Sequence, residues 1–413
     1  MPEPPSCPVV DFDHTSPEHA ADPVASYRRL REYGSIVWTN AHGGYYVLTE
    51  YDEVFEAART DQVFSSARSA HGGEGLATVI PKVPVHLHIP VELDPPRSRP
   101  YRKILNPKTT PDAIQELLPT IRAWTTWFID QVIEDGECDF ASVIGVPAVV
   151  TLDWLGMDTA EWKRYASALH AVLANVPGSP EHSLAVEVDL PWITEQIRAA
   201  VADRREHPCD DLISWIVSAE IDGRPIELDD AYSMVELLIS GGVGTTASLV
   251  SQTLVHLARH PEQRQQLRDD PALLERAVEE FLRAFSPTQA LARTVTQDTT
   301  LAGCPLQPGD RVLLAWASAN RDPEAFDDPD SVDILRWPNR HAGFGIGVHR
   351  CAGAHLGRAM ARELLGQVLT RMPDYEVDLD AVQSYPSQGV NAGYQRIPAR
   401  FTPGPRLGSS VSP

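Results

Sequence analysis

The stretch HAGFGIGVHRCAGAHLGRAMAREL, residues 341–364, decides how this chain is read. It puts Phe344, Gly345, Gly347, His349, Cys351 and Gly353 into a tight loop that runs straight into an amphipathic helix. Glycines two residues apart let a backbone lie close against a flat object. A cysteine at a helix N-terminus sits among unsatisfied N–H groups at the positive dipole end, which favours the thiolate, the form that ligates metal. N–H groups donated to such a sulfur also tune any iron held there. The plain alternative is a small buried cysteine in a glycine loop.

The FxxGxxxCxG spacing of Phe344, Gly347, Cys351 and Gly353, with His349 and the HLGRAMAREL helix behind it, resembles the proximal haem-ligand loop of the cytochrome P450 family of haem-thiolate monooxygenases. The resemblance runs from the Ile36 hairpin to the C-terminal strands. It implies a mainly α (α+β) fold: one helix-rich domain with small β-sheets over residues 1–405 and a flexible tail at 406–413. It also implies haem b as cofactor, with Cys351 as axial iron ligand and Phe344, Gly345, His349 and Gly353 around it.

Two further stretches extend the resemblance. ExxR on a helix matches Glu280 and Arg283, and Arg336 in the later DILRWPN segment completes the family's Glu-Arg-Arg structural triad. Alone the spacing carries nothing, since Glu56/Arg59, Glu161/Arg164 and Glu195/Arg198 repeat it and an exposed pair of this kind contributes only a few tenths of a kcal/mol, about 0.2–0.5. The run Ser240-Gly-Gly-Val-Gly-Thr-Thr246 lies within a helical pattern, where each glycine costs about 1 kcal/mol relative to alanine. Close helix packing explains such glycines. The resemblance instead places this helix over the haem, with Gly241 giving room for dioxygen and the Thr245 hydroxyl feeding protons inward. Family members usually carry an acid just before that threonine; this chain has Gly244, which puts the ordinary proton route in doubt.

By resemblance Arg102, Arg293 and His349 take propionate-contact positions. Ser98 and Pro100 stand where many relatives have histidine and arginine, so that side is thinner. Pocket walls fall to Leu237, Ser240, Gly241, Gln289, Leu291 and Val390, with Val83 to Ile89 as lid. A mostly apolar lining with a few polar positions suits a medium hydrophobic molecule. His86 and His88 form an HxH in the lid without further metal ligands nearby in sequence.

Outward from these motifs the pattern is helical. Helices are expected over Pro23 to Tyr33, Tyr51 to Thr60, Thr120 to Ile133, Ala160 to Ala174, Pro191 to Asp203, Asp229 to Arg259, Pro271 to Phe285, and from near Cys351 to Met372. The glycine-bearing turn His42-Gly43-Gly44 joins IVWTN and YYVLT as a hairpin, and Ala292 to Leu314 alternates like strands. Residues 66 to 96 lack periodicity and read as a functional loop. A parallel α/β sheet is not indicated.

The 413 residues carry Lys+Arg 35 and Asp+Glu 57, a formal charge of −22. Such a surface repels phosphate backbones and anionic lipid, which argues against nucleic acid and membrane partners. No apolar run approaches the roughly 18 residues of a membrane span, and the acidic, proline-rich start lacks a secretory pattern, so a cytoplasmic monomer is expected. Cys7, Cys138, Cys209, Cys304 and Cys351 are odd in number and scattered, which argues against a disulfide framework.

Together these features imply a monooxygenase that inserts one atom of O2 into a hydrophobic molecule, in biosynthesis or catabolism. Electrons would come from a separate ferredoxin-type partner and its reductase, steered by Arg97, Arg99, Arg102, Lys103, Lys108, Arg350 and Arg358. A peroxide-driven haem-thiolate oxidase and a non-catalytic haem sensor are the alternatives.

Overall fold

The computed structural model describes residues 7–413. Its frame is the set of helices that the apolar periodicity implies. Pro111–Asp130 starts with Thr110 accepting from the Ala113 N–H, and it buries Ile114, Ile121, Trp124 and Phe128 along one stripe. It packs against Ala354–Arg371, the helix that follows the Cys351 loop, and against Val146–Leu155, which is buried nearly all round.

The stretch expected as one helix from Asp229 to Arg259 is two, Leu228–Val243 and Thr245–Arg259, divided at Gly244. The division is also a seam between two cores. Ala247, Leu254 and Leu257 pack with Phe281, Leu364 and Leu365. Val235, Ile239 and Val243 pack instead with Leu152, Leu169 and Ile197. Together Leu228–Arg259 is long and apolar enough, at mean hydropathy 1.3, to pass as a membrane span, contrary to the sequence expectation; 67% of its most apolar window is buried in protein.

The strands gather into a six-stranded mixed sheet, in the order Val9–Val10, Ile36–Thr39, Tyr45–Leu48, Arg311–Leu314, Leu291–Val295 and Phe64–Ser65. The expected hairpin is present with Trp38 opposite Tyr46, and its turn uses His42 and Gly43 at positive φ, 50° and 87°. Pairing of Val312 with Arg293 fixes Arg293 within the sheet. Within the alternating stretch Thr299–Leu301 and Cys304–Leu306 form a separate small hairpin.

Two expectations are corrected here. Cys7 and Cys304 are joined in a disulfide, so two of the scattered cysteines do pair across the fold. The C-terminal segment 406–413 is tied down: Leu407 and Gly408 donate N–H bonds to Asp130, the Ser409 hydroxyl to Ala123 O, and Val411 packs on the core. The core surface under half-buried Val411 and the carboxylate of Asp130 supply the partners that a polar tail read in isolation lacks.

Candidate functional site

The loop before Ala354–Arg371 is closed by its own backbone. Gly345 N–H donates to Ala342 O at 2.8 Å, and Cys351 N–H to Phe344 O at 2.8 Å. Gly345 and Gly347 take φ of 68° and 74°, in the left-handed region that favours glycine. At Gly347 a Cβ would lie 2.5 Å from Ala58 O. The close approach foreseen for these glycines is therefore, at Gly347, to the neighbouring helix Tyr51–Arg59 rather than to a flat group.

Cys351 is accessible, yet the protein around its sulfur raises the thiol above its ordinary range. The Gly353 N–H and the charges of Arg102, Arg350 and Arg358 oppose that rise. Desolvation is the largest influence on the thiol, and the helix that follows begins at Ala354, three residues beyond Cys351.

Cations and polar groups converge on this loop. Arg102, on helix Arg99–Thr109, donates Nη1 to Arg350 O at 2.9 Å while its Nε is sealed without a partner. His349 shares Nε2 with Asp94 at 3.2 Å, and its Nδ1 is likewise sealed and unpartnered. Burial pulls the His349 imidazole below its ordinary range even against Asp94. Arg293 is 4% exposed, donates Nη1 to Ala292 O, and is lowered to about 10 by burial. Buried cationic groups with spare donors are what acidic side arms of a haem require, and a cysteine sulfur is a soft iron ligand. The residues present fit that group.

Behind the loop, Glu280 is fully buried. It accepts from Arg283 twice at 2.8 Å, from Arg336 Nε at 3.1 and 3.2 Å, from Asn339 at 3.0 Å and from the Asp333 N–H at 2.9 Å. Burial would raise this carboxyl, but Arg283 and the other donors hold it below its ordinary range. The three other ExxR pairs do not close: Arg164 turns to Asp189, Arg198 to Asp229, and Arg59 lies over Phe55.

Across the site, Thr245 donates its hydroxyl to Gly241 O at 2.9 Å. A Cβ at Gly241 would meet nothing within 4 Å, whereas one at Gly242 would lie 2.6 Å from Thr151 Oγ1. Of the three glycines, Gly242 is therefore the helix-packing one. Leu237, Ser240, Leu291 and Val390, the expected wall residues, are half-buried. Gln289 is not available as a wall residue: it is 4% exposed, and its amide donates to Phe285 O at 3.0 Å and Ser286 O at 2.6 Å, closing the end of helix Leu274–Phe285. The lid segment is held by Arg68, which bonds Glu92 and the carbonyls of Val85 and His86. Among the described residues no cluster that would hold a metal ion forms around His86 and His88.

Sequence reading missed Asp94 and Glu279. Asp94 lies 255 residues from His349, and Glu279 meets Arg358 and His341 from the side of its helix next to the ExxR glutamate. No local spacing marks such pairs.

The Cytochrome P450 family model matches residues 192–387. The chain is 31% identical over 390 residues to a steroid C26-monooxygenase of Mycobacterium tuberculosis, covering 93% of this chain and 95% of the relative. It is 29% identical over 364 residues to linalool 8-monooxygenase of Pseudomonas putida, covering 85% and 89%. In structure it is similar to a cytochrome P450 of Mycobacterium marinum in complex with pseudoionone, with TM-score 0.86, 26% identity and coverage of 95% and 99%. At 31% identity over nearly the full length of both chains, the chain belongs to the cytochrome P450 family and is a haem b monooxygenase.

Proposed function

We propose that this enzyme inserts one atom of O2 into a medium-sized, terpenoid- or steroid-like molecule, with Cys351 holding the iron and Thr245 passing protons. The observation that carries the cofactor site is the convergence on the Cys351 loop of two buried guanidinium groups with donors to spare, Arg102, whose Nε is sealed and unpartnered, and Arg293. When bound, haem supplies activation of dioxygen and transfer of its oxygen. Arg102, Arg293 and His349 would hold its acidic arms, and Gly353 N–H supports the sulfur. Phe344 and Gly345 shape the loop around it.

The Thr245 hydroxyl gives its proton to Gly241 O, which leaves its lone pairs to accept from an incoming proton donor. Gly241 keeps open space beside it. Leu237, Leu291 and Val390 exclude water, and Ser240, whose hydroxyl is spent on Glu236 O at 2.6 Å, accepts from a donor on the substrate. The relatives named for steroid and linalool oxidation, and the one solved with pseudoionone, support a hydrophobic skeleton. Electrons come from a ferredoxin-type partner in the cytoplasm; burial of the long apolar helix supports a soluble chain.

The test is the absorption spectrum of the reduced, carbon monoxide-bound protein, then titration of the ferric form with linalool, pseudoionone and a steroid. A red-shifted thiolate Soret band and a low-to-high-spin change with one of these ligands are expected. In Thr245→Ala the band should persist while product per electron falls by about tenfold or more. A full-haem preparation lacking the thiolate band would overturn the Cys351 assignment, and unchanged product per electron would overturn that of Thr245.

A further inference from the structure

Insertion of one oxygen atom follows RH + O2 + two electrons + two protons giving ROH + H2O. The electrons come from the redox partner, but the two protons must cross protein to reach the site. A threonine hydroxyl passes a proton on only if a titratable group or solvent resupplies it. Gly244, immediately before Thr245, has no side chain to do so. The structure nonetheless puts a titratable ring there. A Cβ at position 244 would lie 3.6 Å from Cδ2 and 3.7 Å from Nε2 of His170, and 3.9 Å from Asn391 Nδ2. His170 belongs to the helix Trp162–Ala174, so it reaches position 244 from a different element.

Its Nε2 is buried and has no hydrogen-bond partner. A sealed imidazole nitrogen without a partner is costly unless something polar meets it. The surroundings continue as a polar row: the Tyr385 ring lies 5.7 Å from the imidazole, and its hydroxyl is 3.5 Å from Ser248 Oγ, one turn beyond Gly244. Burial alone lowers the His170 imidazole below its ordinary range, with no charged neighbour contributing. The ring is therefore neutral near pH 7, with one N–H to give and one lone pair to refill.

We propose that His170 is the positioning residue of the proton path, filling from the helix Trp162–Ala174 the place that the side-chain-less Gly244 leaves beside Thr245. One ring nitrogen hands its proton through water to the Thr245 hydroxyl while the other takes a proton from the solvent side, so the ring stays neutral, and a ring flip or proton exchange with water restores the first N–H before the second proton passes. This rests on the monooxygenase reading above. A side chain at 244 would begin in van der Waals contact with the imidazole, so a carboxylate at 244 and a ring at 170 would serve the same place beside Thr245.

Two measurements on the haem-loaded protein test this. In the diamagnetic carbon monoxide complex, 15N-histidine NMR should show His170 titrating below the ordinary histidine range, and Gly244→Asp should move that titration up by about 1 pH unit or more. An unmoved His170 signal would overturn its placement against position 244. In the second, dioxygen is mixed with prereduced holoenzyme and excess reduced ferredoxin. His170→Ala should slow dioxygen consumption by about tenfold or more, and His170→Ala/Gly244→Asp should recover a substantial part. Consumption unchanged in the single variant, or a loss that Gly244→Asp does not recover, would overturn the proposal. The carbon monoxide Soret band is recorded for each variant; its absence in wild type would instead defeat the haem-thiolate assignment.

Discussion

Glu279 and Glu280 are adjacent in the chain and serve neighbouring faces of one helix. Glu280 gathers Arg283 and Arg336 behind the site, while Glu279 accepts from Arg358 at 2.6 and 2.7 Å and from His341 at 3.1 Å, bracing the Cys351 loop at both ends. Burial would raise the Glu279 carboxyl, but the Arg358 and His341 bonds and charges outweigh it and hold it at about 2 against an ordinary 4.5. A carboxyl lowered on folding stabilises above its unfolded value, and that contribution is lost as pH falls from 4.5 towards about 2. At 1.36 kcal/mol per pH unit it amounts to at most about 3 kcal/mol. Glu279→Gln should therefore lower the unfolding free energy by about 1–3 kcal/mol at pH 7, with the difference shrinking towards pH 3. Denaturant unfolding of the haem-loaded protein at the two pH values measures it, and a pH-independent difference would assign the loss to packing. At this scale the chain was legible where a motif is local. Glu280 and Arg283 stand one helical turn apart and were found; Glu279, whose partner Arg358 lies 79 residues on, was invisible because only the fold brings the two together.

The helix over the site shows why element boundaries are harder to read than element types. The acidic start at Asp229 and the apolar periodicity to Arg259 are real, and both halves are helical. A glycine costs a helix only about 1 kcal/mol, so sequence does not distinguish a tolerated glycine from one at a break. What divides the element is tertiary: its two halves belong to different cores that meet at Gly244. The same logic separates Gly241 from Gly242. Alanine at 241 meets open space and should gain about 1 kcal/mol of helix propensity, while its methyl group weakens binding of large ligands in spin-state titrations. Alanine at 242 meets Thr151, whose hydroxyl is already committed to Pro147 O at 2.7 Å, and should cost about 1–3 kcal/mol. Thermal melts of the two haem-loaded variants should thus shift in opposite directions. A loss of stability in Gly241→Ala would mean that this glycine too is required for packing.

Over the whole molecule, a net charge of −22 makes any basic surface a local exception. Of the seven cations expected to form one, Arg358 is paired with Glu279, Lys108 lies over the Trp215 ring, and half-buried Arg102 faces inward with a sealed Nε. Arg97, Arg99, Lys103 and Arg350 remain exposed, and among the described residues none pairs with a carboxylate. The Arg102 bond to Arg350 O at 2.9 Å joins the helix carrying Arg99 and Lys103 to the Cys351 loop, so these charges surround the thiolate side. On the proposed reading, an acidic ferredoxin approaching an otherwise repelling protein would be steered to the face that carries Cys351. Screening decides whether this steering operates, since charges act over about 10 Å at 0.1 M salt and about 3 Å at 1 M. Arg99→Glu/Lys103→Glu should raise the KM for an acidic ferredoxin by about tenfold in low salt and by less than about twofold at 1 M, with the carbon monoxide spectrum unchanged. A KM that does not respond at low salt would place electron entry on another face, and a loss that persists at 1 M salt would mean that the substitutions disturb the loop rather than the field around it.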